Sequence, residues 1–397
     1  MSEYVAPGVY VEEVPFSGNS IPGVPTSVAV FVDHFAAGPI GQPTQISNFV
    51  EFVTTFGGLA EASEASFAIA QFFSNGGNIA WVVRAEPASG SWDPAGNPTA
   101  AAQALIGDAS AKTGLFALAA VDLFNILCVP ATALLPDAEA ATVAVQSTAA
   151  CIARRAMLIL DPPQHDADRD TVAGITAWVQ SNDSLRSNNA ALYFPRPVVV
   201  DTLTGNPRRV SASGTMAGLW ARTDASRGVW AAAAGAQAQL LGVVDLAYAP
   251  TDADVAALNP LAVDCLRRLT GLGLVCWGAR TLAGTDQAAD PYRYVPVRRT
   301  ALFIEESVRR GLSWVVFEPN GPPLWAIIRT VVTDFMQKLF LQGAFQGTTP
   351  DQAYLVRCDA VTNTQADIDN GIVRLIIGFA ALKPAEFSII DISQTLA

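Results

Sequence analysis

The eleven residues LDPPQHDADRD, numbers 160–170, hold the densest chemistry in the chain, with Asp161, Asp166, Asp168 and Asp170 around His165. Carboxylates and an imidazole at the end of a parallel strand can bind a divalent metal or act as acid and base. One reading is therefore a metal-dependent hydrolase that uses Asp161, His165 and Asp166. The spacing matches no calcium loop, because the glycine and the distal glutamate are missing. The preferred reading is a solvated loop that caps the following helix, with Asp168 or Asp170 near its positive N-terminus.

Other catalytic signatures are missing. There is no GxxxxGK[ST] phosphate loop, no GxSxG elbow and no Cys–His pair. In GLGLVCWGA the glycines at 271, 273 and 278 miss the dinucleotide spacing, and the stretch reads as a helix feeding a strand, the reverse of that motif. His34 sits in an apolar strand and reads as a core or interface residue. Cys128, Cys151, Cys265, Cys276 and Cys358 are scattered and form no CxxC, so they read as buried reduced thiols. The chain is expected to be no enzyme and to carry no cofactor.

What positions these residues is a long chain poor in charge. At 397 residues two or three domains are expected. Charged residues make up 15%, against about 25% in an average soluble domain, while apolar residues reach 51%. The most apolar candidate span, GLFALAAVDLFNILCVPATALLP, is cut by Asp122, Asn125 and Pro130, and no basic start precedes an apolar run. Burial against other chains is the expectation that remains, without membrane insertion. The net charge of −12 speaks against nucleic acid as a direct partner. The acidity is uneven: from Thr281 onward there are 12 acids and 10 bases, before it 24 and 14. Three lysines stand against 21 arginines, a bias that interfaces, where Arg is favoured, or equally a GC-rich genome would give.

Along the chain, TSVAVFVDHF and NIAWVVRAE read as strands, with SNFVEFVTTFGG and SEASFAIAQFFSNGG as helices between them. Strand and helix then alternate through FNILCVPA, DAEAATVAVQSTAACIARR, AMLILDPP, DRDTVAGITAWVQS and AALYFPRPVVVD. That rhythm implies a mostly parallel sheet covered on both faces. DADVAALNPLAVDCLRRLT reads as a helix, YRYVPVRR as a strand, RRTALFIEESVRRG as a helix and SWVVFEPN as a strand. PPLWAIIRTVVTDFMQKLFLQGAF reads as one long helix whose apolar stripe is Leu324, Ile327, Ile328, Val331, Phe335, Leu339 and Phe340. AYLVRCD and GIVRLIIGFA follow as strands. Both termini, YVAPGVYVEEV and AEFSIIDI, are apolar and extended, a hazard unless each has an assigned partner.

Residues 7–12, PGVYVE, resemble the opening of the sheath proteins of contractile phage tails and related injection systems. Asp33 stands where that family's next strand has a small residue. FGGLAEASEASFAIAQFFSNGGNIAWVVR, AMLILDPP, GLGLVCWGARTL, YVPVRR, FEPNGPPLW, GAFQGTTPDQAYLVRCDAVTNTQADIDNG and LKPAEFSII are similar to the family's segments, in its order.

The resemblance implies a mixed α/β multi-domain sheath fold with extended terminal strand arms. The expected parts are an N-terminal arm (1–20), an outer α/β region (21–280), an inner C-terminal domain (281–382) and a C-terminal arm (383–397). It implies a structural subunit that polymerises with itself as stacked hexameric rings around an inner tube protein, bounded by baseplate and terminator or cap proteins. Such a subunit is assembled in the bacterial cytoplasm, becomes part of a phage tail or a phage-tail-like particle, and contracts to drive the tube through an envelope. A passive cytoplasmic scaffold polymer is the other alternative. Each arm would add a strand to a small sheet in a neighbouring subunit: Val9, Tyr10, Val11 and Glu12 from one end, and Glu386, Phe387, Ile389, Ile390 and Ile392 from the other. Basic residues of the C-terminal region, Arg298, Arg299, Arg309, Arg310, Arg329 and Lys338, are the expected tube- or neighbour-facing groups.

Overall fold

The computed structural model of the chain describes residues 20–164 and 167–386. Two compact units divide them. Among the described residues, the first comprises 23–306, 344–346 and 380–386; the second comprises 20–22, 307–343 and 347–379.

The first unit is built on a sheet of eight strands: β1 (Ala29–Asp33), β2 (Thr44–Ile46), β3 (Ala80–Arg84), β4 (Ile126–Cys128), β5 (Met157–Leu160), β6 (Ala190–Phe194), β10 (Asp264–Leu269) and β11 (Gly273–Cys276). Their order is β11-β10-β6-β5-β4-β1-β3-β2. The six inner strands run parallel, and β2 and β11 close the edges antiparallel. Phe31 of β1 pairs in register with Val82 on one side and Cys128 on the other. A second sheet of three antiparallel strands holds β7 (Pro197–Val200), β8 (Pro207–Arg209) and β9 (Asp245–Leu246).

Both faces of the large sheet are buried, which is why its strands read as continuous apolar runs. Ala29 and Phe31 project into one core with Phe72, Met216 and Trp220, under helices α2 (Glu64–Ser74) and α6 (Ala212–Arg227). Val30 and Val32 project into the opposite core with Leu105, Val143, Trp178 and Leu258. These come from α3 (Pro98–Ile106), α4 (Asp137–Arg154), α5 (Val172–Ser181) and α7 (Asp252–Leu258). Helix α1 (Phe49–Phe56) starts on an Asn48 side-chain cap and stops at Gly57, whose φ of 90° suits glycine. Asp33 ties the end of β1 to the start of α2, because its carboxylate accepts the His34 N–H at 2.6 Å and the Ala65 N–H at 3.1 Å.

The second unit holds α9 (Pro322–Leu341) and a two-stranded antiparallel ribbon, β12 (Tyr354–Arg357) with β13 (Ile376–Phe379). Short helices α10 (Pro350–Ala353) and α11 (Gln365–Asp369) flank the ribbon. The division between units falls inside α8 (Val295–Gly311). Among the described residues no helix is long and apolar enough to cross a membrane.

Four expected elements differ. DADVAALNPLAVDCLRRLT is helical only to Leu258; Asp264–Leu269 is β10, drawn into the sheet by β6 and by a hairpin with β11. Gly271 and Gly273, at φ 80° and 82°, make that hairpin, so GLGLVCWGA joins strand to strand. YVPVRR starts α8, with Pro296 in its first turn, and SWVVFEPN is a single 3-10 turn, Ser313–Val315, followed by irregular chain. AALYFPRPVVVD is two strands in two sheets, broken after Phe194.

Candidate functional site

Asp161 lies at the end of β5 and is 3% exposed. One carboxylate oxygen accepts the Ser213 N–H at 3.1 Å, and the Thr132 hydroxyl donates to its carbonyl at 2.8 Å. Burial lifts the carboxyl to about 7, against the opposing pull of the Ser213 contacts. Asp170 accepts from Arg196 at 3.0 and 2.5 Å and from Arg209 at 2.9 Å, so it serves an ion-pair cluster. Thr171 caps α5 in the place expected for Asp168 or Asp170, its hydroxyl accepting the Gly174 N–H at 3.0 Å. Arg169 grips Asp137 at 2.9 and 3.1 Å from the same loop. His165 and Asp166 lie outside the described residues. Among the described residues no three His, Cys, Asp or Glu side chains are placed to share a metal ion.

The basic residues of the C-terminal region separate by burial. Arg299, expected on a tube- or neighbour-facing surface, points inward instead. Its guanidinium donates to both oxygens of Asp224 at 2.9 and 2.7 Å and to the Thr26 carbonyl at 2.9 Å, and lies 4.7 Å from the Trp220 ring. A side chain 5% exposed has no surface to offer, and α6 supplies the carboxylate that makes burial tolerable. Arg298 also turns inward, to the Asn189 side chain at 2.9 Å and over Tyr292 at 4.7 Å. Arg309 is exposed and Arg310 half-buried in the last turn of α8. Arg329 is half-buried and donates to the Cys358 carbonyl. Lys338 stands exposed on α9. That helix buries Leu324, Trp325, Ile328, Val331, Val332, Phe335, Met336 and Leu339. Ile327, expected in the buried stripe, is 41% exposed.

The arm residues Val9, Tyr10, Val11 and Glu12, and Phe387, Ile389, Ile390 and Ile392, lie outside the described residues. Glu386 is described: both of its oxygens accept from Arg280 at 2.7 Å. Sequence reasoning passed over Arg280 and Asp224. The available signal for Arg280 was a lone cation in the apolar run VCWGARTLA, which must bury its charge against something.

A parallel sheet with helices on both faces, a separate ribbon unit and a C-terminal stretch held by one arginine define a class. Residues 102–282 match the phage tail sheath protein central domain and residues 287–395 the phage tail sheath C-terminal domain. The chain belongs to the phage tail sheath protein family. It is 28% identical over 275 residues to the tail sheath protein of Burkholderia phage BcepMu, spanning 66% of this chain and about half, 56%, of that protein. Among solved structures, the sheath of an extracellular contractile injection system, PVC, in its contracted state covers 100% of this chain and is itself 99% covered, at 25% identity and TM-score 0.77. The helical sheath of the anti-feeding prophage, also contracted, gives 28% identity and TM-score 0.74 over 99% of this chain and 100% of that one. These likenesses support a structural sheath protein and not a metal-dependent hydrolase on Asp161, His165 and Asp166. The two family matches meet between residues 282 and 287, whereas the compact units divide within α8 at Glu306/Ser307.

Proposed function

We propose that the chain is the subunit of a contractile sheath, polymerising as stacked hexameric rings around an inner tube and shortening to drive that tube through a target envelope. The observation that carries this reading is the β12–β13 ribbon. Two strands alone are marginal in water, and among the described residues each has one edge that no strand covers. Leu355 and Ile376 of the ribbon are 44% and 50% exposed. Added strands would complete it, and the sequence offers two apolar, strand-patterned segments for this, around Val9–Glu12 and Phe387–Ile392. Flexible tethers keep such strands at high effective concentration, so the lattice can rearrange without dispersing.

The work comes from the difference between two lattices, on the order of a few kcal/mol per subunit, held by kinetic trapping until release. Lys338 and Arg309 are the exposed cations we assign to the tube or a neighbouring subunit. Charge pairing at a wet interface grips firmly enough to template assembly and still lets go. Baseplate and terminator proteins would bound the polymer, which is assembled in the bacterial cytoplasm and becomes part of a phage-tail-like particle.

The test is electron microscopy of the purified chain, alone and with its tube protein, alongside two truncations. Full-length chain should form hollow cylinders of two widths. Chains lacking residues 1–18, or ending after Glu386, should fold and stay dispersed; cylinders from both truncations would refute strand exchange.

A further inference from the structure

The described chain ends in a short strap that is fastened at both ends to the first unit. At its start the Gln346 N–H donates to the Ala380 carbonyl at 2.9 Å, and Phe345 bridges to Ala381. At its end Arg280 Nε and Nη2 each donate to a different Glu386 oxygen at 2.7 Å. Lys383, between the fastenings, is exposed.

The arginine that holds Glu386 is itself held from several sides. It is 1% exposed. Its backbone N–H donates to Asp264 of β10 at 2.9 Å, and the residue bridges to Tyr294. Nη1 is shared among Asp286 at 2.8 Å, the Asn259 carbonyl at 2.9 Å and the Gly284 carbonyl at 3.2 Å. The fork is therefore aimed before Glu386 arrives, and a bidentate carboxylate is what its free edge fits. The strap Pro384–Glu386 in turn forms one wall of a cavity of about 500 Å³, whose other walls include Val255, Arg267 and Trp277.

We infer that Arg280 and Glu386 form the anchor of the C-terminal arm, a positioning pair that fixes the point and direction from which residues 387–397 leave the subunit. The inference rests on the sheath reading above for what the arm does, but not for where it is held. Glu386 is then not part of the inserted strand, and the exchanged segment begins at Phe387. Were the anchor to open, the tether would start at Ala381, longer and without set direction, and its effective concentration at a neighbour would fall. Tension on the arm is also delivered to β10 through Arg280 and Asp264, and not to the single bridge at Ala381.

The experiment is hydrogen exchange on the full-length chain, wild type against Glu386→Gln, followed by electron microscopy of both. The variant keeps the side-chain size and leaves Arg280 with Asp286 and two carbonyls. The amides of Leu382, Lys383, Ala385 and Glu386 should exchange at least about tenfold faster in the variant while β1 and β5 keep their protection, and the yield of cylinders should drop several-fold. Unchanged exchange at 382–386 would overturn the anchor. Faster exchange with a wild-type yield of cylinders would overturn its role in positioning. A wild type that forms no cylinders would count against the sheath reading alone, since the exchange comparison still decides the anchor. If Glu386→Gln does not fold, chains ending after Ala385 and after Glu386 give the same comparison over residues 380–385: faster exchange in the shorter chain supports the anchor, equal exchange overturns it.

Discussion

Arg299 of α8 and Asp224 of α6 close a bidentate ion pair at 2.9 and 2.7 Å with each side chain 5% exposed. The Thr26 hydroxyl adds a 2.6 Å hydrogen bond to the same carboxylate. Thr26 lies seven residues after the last residue outside the described segment at that end, so the pair fastens the chain where it comes in from the N-terminal arm. Burial pushes the Asp224 carboxyl above its usual range even with Arg299 pulling it down. Replacing Arg299 with Met leaves that carboxylate buried and unpaired, which should cost about 3–5 kcal/mol. Urea denaturation measures it, and removing both charges as Arg299→Met with Asp224→Leu should recover much of the loss.

Asp161 predicts a pH slope. Its carboxyl is raised to about 7 in the folded chain, against about 3.9 unfolded. Protonation is therefore favoured by folding: the contribution is complete below pH 4 and is lost as pH rises through 7. The full change is on the order of 4 kcal/mol. Asp33 and Asp264 are also raised by burial and slope the same way, so the readout is a difference. The melting temperature of Asp161→Asn should fall less than that of wild type between pH 5 and pH 8.5. Parallel curves would mean that the buried carboxyl does not titrate there.

Helices α2 and α6 meet backbone to backbone at two glycines. A Cβ on Gly214 would overlap the Ala68 carbonyl oxygen, and one on Gly218 would overlap that of Phe72. Neither helix can yield without disturbing the core around Phe72 and Trp220. Gly214→Ala and Gly218→Ala should each destabilise the first unit by about 1–3 kcal/mol or more, despite the gain in helix propensity, and thermal unfolding would show it.

Lys338 is exposed on α9, so its reversal should leave folding untouched. If it grips the tube, Lys338→Glu should lower cosedimentation with the tube protein by about 1 kcal/mol or more, and the wild-type interaction should weaken with salt. Equal cosedimentation at low salt would remove Lys338 from that interface.

The alternating core was legible because buried parallel strands announce themselves as apolar runs and α1, α3 and α6 end on glycine, at Gly57, Gly107 and Gly228. What misled was local pattern overruled by pairing. Val263, Leu266 and Leu269 recur at helical spacing, yet β6 and β11 claim that stretch as a strand. The β-branched VPV looked like a strand, yet Pro296 fits the first turn of α8. Arg298 and Arg299 were grouped with Arg309 by charge alone, because nothing in a sequence says that Asn189 and Asp224 wait inside the fold. The small clue at Arg280 was of another kind, a charge stranded among apolar neighbours.

The large sheet offers little open edge at either margin. β2 is only three residues long. Along the outer side of β11, the Leu240 N–H donates to Leu274 and the Cys276 N–H donates to Ala238, so a loop already occupies that margin. Even at high concentration, such chains would therefore offer one another little unpaired backbone on the largest sheet. Under the strand exchange proposed above, joining would fall to the small ribbon of the second unit, so premature clumping and ordered growth would be kept apart by the size of that opening.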